Sequence, residues 1–394
     1  MMIRRIVLGV GAVVALAAIA VPLFLIPGAP SAPRPAAMAV PVDEQAATIA
    51  ALAPPRRTRP VIAIATRNEG TEVSDFLSIY GIIKRADLAD VSVVAEHDEP
   101  VRLYYSTMSI DPDATLAAFD QAHPDGADYV LVPAMDPGTD PAIAAWLKAQ
   151  RDKGATIVSV CNGSRMLSTA GLLTGRRATG HWSARDELRQ NNPTMQWVPD
   201  RRYVVDDRVM TSTGITANIP SMIALVEAIG GRDAAARIAA DIGVATWDAR
   251  HDSEAFALTL ELRKTFVRNI MSVWRRETLG VPVADGVDEV AMGLMVDAYS
   301  RTQLGTVVVM GEGGSVTTRS GLTIHVDPIE PAKVTRMLPA PPTDNVALTL
   351  ETVLPDIVSR YDRPTADIVA LAMEYPWPRE QLAASNSPQV IGNR

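Results

Sequence analysis

The chain has 394 residues, 47% of them hydrophobic and 21% charged, which is the balance of a globular protein and not of a disordered or collagen-like one. A net charge of −8 argues against a nucleic-acid binder that works by neutralising phosphates. A single cysteine, Cys161, excludes an intramolecular disulfide and any cysteine-based zinc site. The five histidines, His97, His123, His181, His251 and His325, show no HxH or HExxH spacing, so no metal site is visible and no cofactor is implied.

The first element is apolar. Residues 6–26 carry no charge, and a helix of that length covers about 30 Å, the thickness of a bilayer core. Arg4 and Arg5 precede this run and the next arginine is Arg34. The excess of positive charge before the span places the N-terminus in the cytoplasm and the globular part outside it, on a single-pass anchor. Secretion after cleavage of a signal peptide is the alternative, because Ala- and Ser-containing sequence follows near residues 28–37. Residues 1–28 are therefore expected to form the membrane segment. Residues 29–59, broken by Pro30, Pro33, Pro35, Pro41, Pro54 and Pro55, are expected to form a Pro/Ala-rich linker.

From residue 60 onwards, short apolar runs alternate with segments of helical spacing. VIAIAT at 61–66, VSVVA at 91–95, YVLVP at 129–133 and ATIVSV at 155–160 read as strands buried on both faces. Helical spacing covers 74–86, 114–122 and 141–153, and two more helices are expected at 221–229 and 233–242. This alternation predicts an α/β domain over 60–250 with a doubly wound, mostly parallel sheet. Residues 251–394 are expected to form a C-terminal helix and a second, degenerate half-domain. In that half, Asp288-Glu289-Val290 corresponds to Thr71-Glu72-Val73, residues 306–310 to 91–95, and Met337-Leu338 to Leu131-Val132. The run Gly311-Glu312-Gly313-Gly314 is a hairpin turn, since no helix follows to make it a phosphate loop.

Cys161 directly follows the strand ATIVSV and directly precedes a helix. A strand–nucleophile–helix elbow of this kind exposes its side chain at the C-terminal edge of the sheet, where open α/β sheets bind ligands. A thiol at a helix N-terminus is also expected to ionise below the roughly 8.5 of a free cysteine. From these local features alone, a buried, inert cysteine remains the competing reading.

The longer stretch from Cys161 through Ala170-Gly171-Leu172-Leu173-Thr174-Gly175-Arg176-Arg177-Ala178-Thr179-Gly180-His181-Trp182 resembles the DJ/PfpI family of the class I glutamine-amidotransferase-like superfamily. It is most similar to the branch that holds isonitrile hydratase and the sensor halves of AraC-type regulators. Tyr203-Val204-Val205-Asp206 and Thr211-Ser212-Thr213-Gly214 continue the likeness, which covers residues 60–245. The resemblance implies a flavodoxin-like fold and a cysteine-centred site. Asp75 falls where the family carries its acidic partner, and His181 falls where it carries a histidine twenty residues after the cysteine. The backbone N–H groups of Asn162 and Gly163 would be oxyanion donors, and Thr213 and Gly214 would line the pocket.

Three departures narrow the activity. Asn162 stands where isonitrile hydratase relatives place threonine, no histidine follows the cysteine directly, and no later His-x-Glu occurs. Protease-type and glutaminase chemistry are thus disfavoured, and Asn162 argues against an isonitrile-specific hydratase. Met292 stands in the second copy where Asp75 stands in the first, so that half should be non-catalytic. The expected activity is cofactor-independent, cysteine-dependent hydratase, lyase or hydrolase chemistry on a small electrophile such as an isonitrile or 2-oxoaldehyde. The alternative is a non-catalytic ligand- or stress-sensing module. The expected partners are a small molecule and a membrane, with no nucleic acid and with homodimerisation left open.

Overall fold

The computed structural model describes residues 37–377 except 331 and 333. The expected membrane segment at 6–26 lies outside the described residues. Among the described residues, no helix is long and apolar enough to cross a membrane.

Strand β1 (Val61–Ala65) is buried at all five positions, as a central strand covered on both faces must be. It lies between β2 (Asp90–Ala95) and β4 (Tyr129–Val132). The sheet extends on one side to β3 (Ala114–Thr115). On the other side it extends through β5 (Thr156–Ser159), β7 (Val209–Ser212) and β6 (Tyr203–Asp206). All neighbours are parallel except β6, which returns antiparallel to β7. The expected α/β sheet is present, with strand ends within a residue or two of the apolar runs. The two helices expected at 221–229 and 233–242 are present within α6 (Asn218–Ile242), on either side of a kink at Gly231, where φ is 81°.

Helix α2 (Val73–Ala86) is capped by Glu72, whose carboxylate accepts the Asp75 N–H at 2.6 Å, and it ends at Asp87 in the left-handed region. Its residues 73–83 are all buried, because α6 and α8 (Glu289–Ser300) pack against it. Glycines permit the close approach of α2 and α8. A Cβ at Gly293 would lie 3.2 Å from Leu77 Cβ and from Ser74 Cα, and one at Gly81 would lie 2.4 Å from Glu289 Oε1.

The second copy repeats the order of the first. Strand β8 (Glu277–Pro282) pairs in parallel with β9 (Gly305–Gly311) and β11 (Arg336–Met337), as β1 pairs with β2 and β4. Strand β10 (Asp327–Pro328) completes this smaller sheet beside β9. Residues Glu312–Gly314 turn into the strand Ser315–Thr317 and not into an α-helix. The boundary near 250 separates two copies of a pattern but not two packing units. A five-stranded sheet joins them, with His325 of the second copy opposite Ser109 of the first, and one hydrophobic core runs from Leu52 to Met373.

The expected linker over 29–59 needs correction. Helix α1 (Val42–Ala51) occupies its middle and docks on the sheet domain. Leu52 is fully buried, Tyr129 Oη donates to the Leu52 carbonyl at 2.6 Å, and Arg201 Nε bonds Glu44 at 2.6 Å. Arg56 and Arg57 both pair with buried Asp128, at 3.3 and 2.7 Å. The two prolines that flank the helix bound it without interrupting it. Pro41 is its N-cap residue and Pro54 follows its end, positions where a missing N–H costs little.

Candidate active site

Strand β5 runs through Val160 into Cys161, which has φ of 52°. Such a backbone is uncommon for a residue with a side chain and is the strained turn of an elbow. A short 3-10 turn, Cys161–Gly163, leads into α5 (Ser164–Thr169). Gly163 is required here, since its Cβ would lie 2.2 Å from the Val132 carbonyl oxygen at the end of β4. The Cys161 N–H donates to the Thr213 carbonyl at 3.0 Å, and Ser164 Oγ donates to the Cys161 carbonyl at 3.0 Å. The elbow is thus fixed to β4, to the loop after β7 and to its own helix.

Asp75 is fully buried in the first turn of α2. Its Oδ2 accepts the Ala134 N–H at 3.1 Å and its Oδ1 accepts Asn218 Nδ2 at 2.8 Å. Burial raises its pKa to about 6, against the pull of those two donors. Neither oxygen hydrogen-bonds the Cys161 sulfur; the carboxyl acts on the thiol through charge.

The thiol differs from expectation. Cys161 is only 3% exposed, and burial pushes its pKa well above that of a free cysteine, assisted by the charges of Asp75 and Glu72. Arg301 and the Asn162 N–H pull the other way. The helix after the elbow is six residues long, too short for its dipole to outweigh two buried carboxyls.

His181 does not serve the thiol. Its Nε2 faces the Ala372 carbonyl at 3.0 Å, while Nδ1 lies 2.7 Å from Ser183 Oγ and accepts the Ser183 N–H at 3.2 Å. These partners assign the proton to Nε2. Burial lowers its pKa to about 3, so the ring is neutral and positions the chain.

Among the expected oxyanion and pocket groups, only the Asn162 N–H faces the sulfur. The Gly163 N–H is engaged by the Val160 carbonyl at 2.8 Å and the Gly214 N–H by Glu374 at 2.8 Å. Thr213 contributes its carbonyl to Cys161, and Asn162 Oδ1 is buried without a partner.

Four further residues were not foreseen. Glu72 is fully buried with a raised pKa, caused first by burial and then by Asp297 and Asp75. Arg301, from α8 of the second copy, pairs with Glu72 at 3.2 Å and with Asp297 at 2.7 Å and stacks over the Tyr105 ring at 4.6 Å. Asn218 holds Asp75. Glu374 follows helix α10 (Arg363–Ala372); its carboxylate accepts N–H groups from Trp182 at 2.7 Å and Gly214 at 2.8 Å, and burial raises its pKa to about 7. The C-terminal half therefore completes the site from two sides. The repeat held a signal for part of this: Glu72 and Glu289 are equivalent, and each pairs with an arginine near the end of the other copy's helix, Arg301 and Arg85. Nothing local marks Glu374.

Residues 61–228 match the model of the DJ-1/PfpI family. The chain is 32% identical over 155 residues to the HTH-type transcriptional regulator CdhR of Pseudomonas aeruginosa, an alignment covering 39% of this chain and 44% of that one. It is 38% identical over 91 residues to an isonitrile hydratase of Pseudomonas putida, covering 23% and 38%. An uncharacterized protein from the cpoL 5' region of Streptomyces lividans is 35% identical over 109 residues, covering 26% of this chain and 72% of that protein. The chain thus spans less than half the length of the regulator and of the hydratase.

Proposed function

This chain belongs to the DJ-1/PfpI family, and from the cysteine–carboxylate pair it keeps we propose that it is a cofactor-independent enzyme in which Cys161 adds to a small electrophile, an isonitrile or a 2-oxoaldehyde. The observation that carries this reading is Asp75, a buried carboxyl with a pKa of about 6 within electrostatic reach of the elbow thiol. A group titrating there is suited to take and return a proton near neutral pH. For an isonitrile, the thiol proton passes to Asp75 as sulfur bonds the terminal carbon, and Asp75 then protonates that carbon to leave a thioimidate. Water adds to this carbon, the C–S bond breaks, and sulfur leaves with a proton, releasing an N-substituted formamide. The Asn162 N–H and Arg301 stabilise the thiolate.

One observation favours a second reading, a ligand- or stress-sensing module. The thiol is almost fully buried, and regulators are among the relatives. Turnover of isonitriles and methylglyoxal by the full chain, beside a Cys161→Ala control, separates the two. Cysteine-dependent turnover supports the enzyme. Saturable binding that depends on Cys161 without turnover supports the sensor and overturns the enzyme. We further place the protein at a membrane through residues 6–26, with the globular part extracytoplasmic. A reporter active only in the cytoplasm, fused after Arg394, should be silent, and a bright signal rejects this placement.

A further inference from the structure

Helix α7 (Leu260–Met271) is amphipathic in the reverse sense for a helix bathed in water. Its inward positions are Leu262, Thr265 and Asn269, with Ser272 just beyond. Three of these are polar, and hydrogen bonds hold Asn269 and Ser272. Asn269 Nδ2 donates to the Thr302 carbonyl at 3.0 Å and to Thr365 Oγ1 at 3.1 Å, and Ser272 Oγ donates to the Arg268 carbonyl at 2.7 Å. The outward positions are Phe266, Val267, Ile270 and Met271, continued by Val273 and Trp274 in the next turn, with Trp274 79% exposed. Single exposed apolar residues are ordinary, but six within nine positions along α7 and the turn after it form a face. Residues 260–276 also hold five basic side chains and one acidic, Glu261, in a chain of net charge −8; Glu261 pairs with Lys264 at 2.9 Å and Asp362 pairs with Arg268 at 2.9 Å.

We propose that α7 and the turn after it form a membrane-docking face that lies in the headgroup region of an anionic bilayer. The charge pattern selects this occupant. Arginine and lysine stems cover apolar surface while their heads reach lipid phosphates, and tryptophan prefers the same interface. A second copy docking through the same patch would bring the net positive charge of Arg263, Arg275 and Arg276 against itself. Residues 378–394 contain one acidic residue, Glu380, against two arginines, and do not complement the patch. The uncharged run at 6–26 is an independent reason for the domain to sit beside a bilayer. Because α7 packs against α10, which positions His181, docking would fix the face that adjoins the site.

The test uses the full chain in nanodiscs of phosphatidylcholine alone or mixed with phosphatidylglycerol, with acyl chains brominated in parallel samples. The readout is the fluorescence component lost in Trp274→Ser, a surface substitution that should leave the melting temperature unchanged. We expect brominated lipid to quench this component in the mixed bilayer, and Arg275→Gln/Arg276→Gln to weaken docking by roughly 30-fold. No quenching in either bilayer overturns the proposal, even where the N-terminal segment holds the protein in the disc. Equal quenching without phosphatidylglycerol overturns the anionic-lipid assignment. A Trp274 already shielded from acrylamide in lipid-free detergent shows that a second copy or another part of the chain covers the face, which also overturns it.

Discussion

At the scale of single residues, the site is a buried group of acids with one arginine among them. Glu72, Asp75, Asp297 and the Cys161 thiol share the positive charge of Arg301. The pKa of Asp75 rises from 3.8 to about 6, so the folded protein keeps its proton where the unfolded chain has lost it. Stability therefore falls as pH rises through that window, by about 3 kcal/mol for this group. Asp75→Asn removes the charge, and Asn218, whose Oδ1 is buried without a partner, can turn its amide to accept from the new side chain. The variant should melt above wild type at pH 8, with the difference closing near pH 4; an equal difference at both pH values would show that Asp75 is not the titrating group. His181 acts with the opposite sign. Its pKa falls from 6.5 to about 3, so its contribution is present above pH 6.5 and is lost as pH falls. The thiol itself should alkylate with iodoacetamide along a pH curve whose midpoint lies above the roughly 8.5 of a free cysteine. A lower midpoint would mean that Glu72 and Asp75 hold their protons and leave the sulfur the charge.

At the scale of elements, the elbow and the α2–α8 crossing determine whether the site exists. Gly163→Ala would place a methyl group 2.2 Å from a backbone oxygen that cannot move aside, and should cost about 3 kcal/mol or more in urea unfolding. Gly214→Ala meets Glu374 Cγ at 2.7 Å, a side chain that can be removed, so Glu374→Ala should relieve much of its cost. Additive losses in that double variant would rule out their contact as the cause. Arg301→Met leaves Glu72 and Asp297 buried without their cation and should cost about 3–5 kcal/mol. Glu72→Gln in the same chain should recover part of that loss and leave the Cys161 alkylation midpoint nearer wild type.

These elements also show what a sequence can disclose. The strands at 61–65, 129–132 and 156–159 were legible because a buried parallel strand reads as an unbroken apolar run. Cys161 and Asp75 were legible through a resemblance and a local turn. Arg301 and Glu374 lie far along the chain and reach the site only through the packing of α8 and the course of α10. Their local sequence marks them as a helix-end arginine and a surface-type acid. Proline marks a linker only where it falls inside an element, and Pro41 begins a helix instead of breaking one. The thiol's titration is not legible in the sequence, because it depends on burial and on Asp75, Glu72 and Arg301, whose distances a linear pattern does not carry.

At the scale of the molecule, the two copies form one body. A five-stranded sheet with strands from both copies pairs Ser109 with His325, their equivalent helices α2 and α8 face each other, and Glu–Arg pairs cross that contact in both directions. Urea unfolding followed at the tryptophans and by backbone circular dichroism should give coincident transitions. Two separated transitions would show that the second half folds independently and that Arg301 is only a late addition to the site. A change at Met292, which is fully buried on α8 in a copy without a cysteine, should affect stability or assembly and leave turnover unchanged.

The central claim is that Cys161 and Asp75 act as one catalytic unit. It is tested most directly by the pH dependence of kcat/KM for the best isonitrile or 2-oxoaldehyde substrate, measured from pH 5 to 9 in wild type, Cys161→Ala and Asp75→Asn. The account predicts a wild-type profile with an acid limb near pH 6, no turnover in Cys161→Ala, and loss of at least about 100-fold in Asp75→Asn together with that limb. Turnover that survives both substitutions, or an acid limb that persists in Asp75→Asn, would contradict it.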